Sequence, residues 1–314
     1  MGSSLRMIRV IDSHTAGQPT RIIIDGGPDL GRNSIPQRRE RLRSNFDRFR
    51  SAAISEPRGS DILMGAILCE PADPSCTAGV IFFHNHGYPD LSGHGMIGLG
   101  VTLEYLGRIS VGEHRIETPI GVLTVGLHPL GDISVRNVRS FRHRKDVKVT
   151  VDGTSYTGDV AWGGSWVFLV SDHREELTPA RTGRLTEVAR SIRQALSRDG
   201  VTGAKGEEIL DVALFGRPER RDANSKNFVR RFGSPFRRCP GGTALSAKLA
   251  CLYEDGALPE GSTWRQESII GTVFDGAVNV VDGAIVPTIR STAHVTAESM
   301  LIVDERDPLC WGLS

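Results

Sequence analysis

One device occurs twice in this chain. A polar, glycine-rich turn, Asp90-Leu91-Ser92-Gly93-His94-Gly95, opens an apolar helix that closes near Gly107; a second, Cys239-Pro240-Gly241-Gly242-Thr243, opens another that closes on Gly256. Setting Ser92 opposite Gly241 sets Gly107 opposite Gly256, an offset of 149 in both cases (241 − 92 and 256 − 107). The strands that follow nearly keep it, with Glu117-Thr118-Pro119-Ile120-Gly121 answering Glu267-Ser268-Ile269-Ile270-Gly271 at 150 (267 − 117). A repeat of this kind restricts the fold to two related halves. Each helix start also turns free backbone N–H groups toward an anion.

At 314 residues the chain has room for two domains and a large core. The repeat places them at 7–127 plus about 290–314, and at 128–289. Lys+Arg of 38 against Asp+Glu of 37 leaves a formal charge of +1, so no global field points to nucleic acid or an anionic membrane. A small neutral or zwitterionic substrate is compatible with that balance, as is a monomer or homodimer. The five cysteines, Cys69, Cys76, Cys239, Cys251 and Cys310, are odd in number and form no CxxC pair, which argues against a disulfide framework or a structural zinc. A reducing, cytoplasmic compartment is expected. No apolar run reaches the roughly 20 residues that span a bilayer, and no signal-peptide core is present. The opening Met1-Gly2-Ser3-Ser4 reads as an added leader, with Met7 as the natural start.

Alternation predicts strands at Met7 to Asp12 and Thr20 to Ile24. An arginine-rich stretch from about Ser34 to Arg50 reads as one solvated amphipathic helix. Glu56-Pro57-Arg58-Gly59 is a turn, followed by strands at Leu63 to Leu68 and Ala78 to His84. In the helix after Ser92, the residues Met96, Ile97, Leu99, Leu103 and Leu106 form a core face. Strands at His114 to Glu117, Val122 to Leu127, Ile133 to Asn137 and Val147 to Val151 follow. Another at Asp159 to Val170 contains Trp162-Gly163-Gly164-Ser165-Trp166. A helix at Arg184 to Leu196 precedes strands at Ile209 to Phe215, Gly271 to Val281 and His294 to Val303, and the tail Asp304 to Gly312 folds back on one half.

Several stretches together resemble the proline racemase family, most closely its hydroxyproline 2-epimerase branch: Asp12-Ser13-His14-Thr15-Ala16-Gly17, Glu56-Pro57-Arg58-Gly59, Ser92-Gly93-His94-Gly95, Trp162-Gly163-Gly164-Ser165-Trp166, Pro240 to Lys248 and Gln266-Glu267-Ser268-Ile269-Ile270-Gly271. The similarity covers nearly the whole chain. It implies an α+β fold of two pseudo-symmetric α/β halves, each a curved sheet or barrel around a central helix, as in diaminopimelate epimerase. It also implies a substrate, proline or 4-hydroxyproline, held where the two helix N-termini meet and inverted at Cα with no cofactor and no metal. A carboxylate between positive helix ends is stabilised further as charge flows onto it from the departing Cα proton. Inversion needs one group to take the proton from one face and another to deliver one to the opposite face. The family typically places a cysteine at each helix start, where the dipole lowers a thiol from about 8.5 towards neutrality.

This chain departs from that pattern. Ser92 stands at the first position and Gly241 at the second. Cys239, two residues upstream, is the candidate substitute, since the arginine-rich segment around it favours a thiolate; against this, two residues of extended chain move a side chain by roughly 6–7 Å. The catalytic candidates are therefore Ser92 and Cys239, with Gly93, His94, Gly241, Gly242 and Thr243 binding substrate. Arg237 occupies a place where relatives carry an aspartate for the substrate amine. His14 reads as structural. His84 and His86 share a strand face with no third ligand at a recognisable spacing, and Asp275 reads as a turn residue. Three functions remain open: a two-base epimerase, a one-base hydroxyproline dehydratase, and a silent imino-acid binder.

Overall fold

A computed structural model describes residues 5–313. Met1-Gly2-Ser3-Ser4, read above as an addition, and Ser314 lie outside the described residues. The repeat governs everything between. The first strands are β1 (Leu5–Thr15) and β2 (Gln18–Asp25), then helices α1 (Ile35–Asn45) and α2 (Asp47–Ile54), strands β3 (Met64–Cys69) and β4 (Ala78–Phe83), and helix α3 (Gly93–Tyr105). Next come β5 (Gly112–Thr118), β6 (Gly121–Leu127) and β7 (Ile133–Arg136). The chain continues through β8 (Phe141–Val151), β9 (Thr154–Trp162), β10 (Trp166–Val170), α4 (Thr182–Arg198), β11 (Asp211–Gly216) and β12 (Ser225–Arg231). It ends with α5 (Gly242–Glu254), β13 (Thr263–Ser268), β14 (Val273–Val281), β15 (Ala284–Ser291) and β16 (Ala293–Asp304).

Two compact units result. One ends at Val135 and resumes at Thr292; the other runs Arg136–Ser291. Their strand orders are β16-β1-β2-β3-β4-β5-β6-β7 and β8-β9-β10-β11-β12-β13-β14-β15. Place by place the pairings agree, the third and fifth pairs being parallel in both units (β2 with β3 and β4 with β5; β10 with β11 and β12 with β13) and the rest antiparallel. A parallel pair requires a long crossover, and each of the four carries helix: α1 and α2, α3, α4, α5. The C-terminal strand β16 fills the place that β8 fills in the second unit, so the first unit is closed by the end of the chain. The first junction lies after Val135 and not after 127, because β7 hydrogen-bonds to β6, Val135 opposite Val125.

Within each unit the sheet wraps one helix. α3 packs on β1, β2, β3, β6 and β16, and α5 on β8, β9, β10, β14 and β15. Both central helices have 13 residues and both end in left-handed glycines, Gly107 (φ 67°) and Gly256 (φ 70°). The C-caps match as well, Arg108 N–H reaching the Leu103 carbonyl and Ala257 N–H the Leu252 carbonyl, both at 2.8 Å. These are the bonds that satisfy the last carbonyls of a helix at a glycine stop. Met96, Ile97, Leu99 and Leu103 are fully buried, each contributing about 1.5–3 kcal/mol of transfer free energy; Leu106 is only half-buried.

Three expectations change. The arginine-rich segment is two helices, broken at Phe46 (φ −135°, ψ 21°), whose N–H still closes α1 on the Leu42 carbonyl. The segment Asp159 to Val170 is two antiparallel strands, because Trp162 pairs with Trp166 and Gly163-Gly164-Ser165 forms the turn between them. Asp275 lies within β14 and binds Arg265 through both carboxylate oxygens, at 2.7 and 2.8 Å, so it is not a turn residue. The tail does fold back: Trp311 stacks edge-on against Phe49 at 5.3 Å and Leu313 N–H reaches the Glu56 carbonyl.

Candidate functional site

The loop between β4 and α3 is tied down before it reaches Ser92. Arg50 donates to the carbonyls of His84 and Asn85 (3.3 and 3.0 Å), Tyr88 donates its hydroxyl to Asp47 (2.7 Å), and Arg39 pairs with Asp90. Ser92 then takes the N-cap position in extended conformation (φ −135°, ψ 110°), and its Oγ accepts the Gly95 N–H at 3.2 Å. The same Oγ lies 3.3 Å from His94 Nδ1. Thr15 on β1 donates to the His94 carbonyl at 2.9 Å, fixing the helix start against the sheet. Ser92 and His94 are each only 5% exposed. The arrangement presents a hydroxyl, an imidazole and the backbone N–H groups of a helix start together, with Gly93 between them.

The second start uses the same helix with a different cap. Gly241 is the N-cap of α5 at φ 79°, ψ 113°, and its carbonyl accepts the Leu245 N–H at 2.9 Å. A side chain would have room, since a Cβ there meets nothing nearer than Val229 at 3.5 Å. The backbone forbids it cheaply, because left-handed φ costs an L-residue roughly 1–2 kcal/mol. Asn227 donates to the Pro240 carbonyl at 2.9 Å, so the turn is anchored to β12. Gly242 is buried and Thr243 half-buried in the first turn of the helix.

Cys239 is 1% exposed. Burial pushes its thiol up, and Arg237 and the N–H of Gly241 oppose that shift without reversing it. The expectation that the arginine-rich segment favours a thiolate is therefore corrected: desolvation of the charged form outweighs one nearby guanidinium. The segment is also pinned back on its strand, with Arg237 N–H bonded to the Val229 carbonyl (2.8 Å) and Phe236 stacked on Phe228 (5.6 Å).

The Trp162 to Trp166 turn explains its own glycines. A Cβ on Gly163 would lie 2.2 Å from the Thr243 carbonyl oxygen, so only glycine lets the turn rest on the first turn of α5. Asn137 closes the contact, donating to Gly163 O (3.3 Å) and Ser246 Oγ (2.7 Å). Asn137 and Ser246 are 109 residues apart, and nothing in the sequence marks either.

The remaining candidates stand apart from both helix starts in their bonding. His14 is half-buried, accepts the Gly17 N–H on Nδ1 (3.3 Å) and faces His294 with ring centroids 5.5 Å apart. Burial holds its pKa below the ordinary value, with His294 adding to the effect. His84 Nδ1 is occupied by the His86 N–H at 3.0 Å. Among the described residues, no group of three or more His, Cys, Asp or Glu is arranged to hold a metal ion.

The family described as Proline racemase matches residues 10–314. The 4-hydroxyproline epimerase of Burkholderia cenocepacia (strain HI2424) is 48% identical over 310 residues, covering 98% of this chain and 99% of its own length. The 4-hydroxyproline 2-epimerase of Acinetobacter baumannii (strain AYE) is 46% identical over 310 residues, again covering 98% and 99%. In fold, the chain is similar to the crystal structure of a hydroxyproline epimerase from Agrobacterium vitis with bound trans-4-OH-L-proline: the TM-score is 0.84 at 23% identity, covering 98% of this chain and 95% of that one. A PhzF-family phenazine biosynthesis protein of Bacillus anthracis follows at TM-score 0.65 and 14% identity, covering 95% and 99%.

Proposed function

Since the chain belongs to the proline racemase family, we propose that it is a cofactor-independent epimerase that inverts Cα of 4-hydroxyproline or proline. The observation that carries this reading is the pair of equal, 13-residue central helices, each opening on a glycine-rich turn at its positive N-terminal end. Gly93 and His94 at one helix start, and Gly241, Gly242 and Thr243 at the other, are the proposed substrate-binding residues. As the Cα proton leaves, the charge that develops on the carboxylate is stabilised by the helix ends.

Ser92 and Cys239 are the proposed acid/base pair. Ser92 Oγ takes the Cα proton and passes its own to His94, which lies 3.3 Å away. A thiol kept neutral by burial is a proton donor, so Cys239 fits delivery to the other face better than abstraction. No helix of the described residues is long and apolar enough to cross a membrane. The five free, buried cysteines fit a cytoplasmic setting.

The test is NMR in D₂O with trans-4-hydroxy-L-proline and L-proline as substrates. Cα exchange with inversion is expected, and Ser92→Ala should lower its rate by roughly 10²–10⁴. Binding by calorimetry without exchange would overturn the epimerase and leave a silent binder. The absence of a side chain at Gly241 favours a second reading, one-base dehydration of 3-hydroxyproline; loss of water from trans-3-hydroxy-L-proline, with no inversion of the 4-hydroxy isomer, would establish it instead.

A further inference from the structure

The buried face of α1 contains a charge. Its buried residues are Ile35, Arg38 and Leu42, the i, i+3, i+7 spacing of a core-facing stripe. The expectation of a solvated helix thus fails at Arg38, which is only 4% exposed. A guanidinium keeps its charge in any protein environment, and burying it without a counter-ion is strongly unfavourable. Here Nη1 donates to the Glu70 carbonyl and the Cys69 thiol lies against the group. Nε is buried with no hydrogen-bond partner among the described residues. Among those residues, too, no carboxylate forms an ion pair with Arg38. The acids nearby are engaged elsewhere: Asp29 accepts the Gly31 N–H at 2.8 Å, Glu117 accepts the N–H groups of Ala72 and Asp73 at 2.6 and 3.3 Å, and Glu70 turns outward toward Arg108 at 3.8 Å.

Arg38 lines a cavity of about 610 Å³ between the loop after β2 and the end of β3, walled by Leu30, Ile67, Leu68 and Pro71. We propose that this cavity is a second ligand site, separate from the helix starts, that takes a small monocarboxylate. The carboxylate pairs with Arg38 through the planar guanidinium fork, and the hydrocarbon body lies on the apolar wall. One buried guanidinium balances one negative charge. Asp29 and Glu70, which also line the cavity, disfavour a dianion.

Butyrate is the probe, with inorganic phosphate as the contrasting anion. In ¹⁵N-labelled protein the Arg38 Nε–H resonance, identified by its loss in Arg38→Lys, should move saturably with butyrate and keep doing so in a Ser92→Ala background. Butyrate binding at this site should weaken roughly tenfold or more in Arg38→Met, the loss expected for a charge-assisted bond. If that variant does not fold, the wild-type resonance decides. An Arg38 signal that stays still at high butyrate, or one that moves with phosphate and not with butyrate, overturns the proposal.

Discussion

Ser92 and Gly241 occupy the same place in the repeat with opposite backbone habits, one extended and one left-handed. The difference has chemical weight, because restoring a side chain at Gly241 requires the turn to change φ as well as gain atoms. Cys239, beside it, is governed by burial. Its thiol stays protonated well above neutral pH, so the native protein should alkylate at Cys239 at least roughly tenfold more slowly at pH 8 than the unfolded chain, where the thiol returns to about 8.5. Mass spectrometry of the labelled peptide over time measures this. Equal rates in native and unfolded protein would mean that the thiol is open to solvent.

Two glycines near α5 separate two kinds of elementary constraint. Gly163→Ala should destabilise the protein by about 3 kcal/mol or more, because its Cβ would collide with backbone, the Thr243 carbonyl, which cannot rotate aside. Gly241→Ala should cost only about 1–2 kcal/mol, since room exists and only the left-handed backbone is penalised. Urea midpoints of the two variants check the order. A Gly241→Ala loss equal to or larger than that of Gly163→Ala would contradict the packing of the Trp162 to Trp166 turn on the helix. The paired C-caps at Gly107 and Gly256 show the repeat at this level: two sequences that share little but spacing close their helices with the same bonds.

Across the whole molecule, acid should act first through half-buried imidazole and only then through carboxylates. Burial holds His173 below its ordinary 6.5 in the folded state. The unfolded chain therefore binds the extra proton first, and the stability is fully present above about 6.5 and lost as pH falls through the folded value. Asp47, held down by its bond to Arg50 and opposed by burial, contributes stability that is present above 3.8 and lost below. Urea midpoints at pH 7.5 and 5.5 should drop for the wild type and drop less for His173→Gln. An identical drop in both would assign the acid sensitivity to other groups.

The repeat was legible because its evidence is local. A glycine stop, a polar turn and the spacing between them survive in one dimension, and they located both central helices and both helix starts. The resemblance to the proline racemase family rests on the same short turns. Burial is a different matter, since whether Arg38 faces solvent or Cys239 meets water depends on what other segments place over them. The hairpin at Gly163-Gly164-Ser165 was missed because glycines inside a strand-like run fit a close backbone approach as well as a turn, and only the pairing of Trp162 with Trp166 decides between them. Asn137 and Ser246 carry no local signal at all. The sequence alone determined the two-half plan and the positions of the polar turns that open its central helices, because those follow from backbone conformations that a few residue types enforce. The protonation of Cys239, the charge enclosed at Arg38 and the closure of the first unit by β16 were decided only in three dimensions. Each depends on residues far apart in the chain excluding water from the same place.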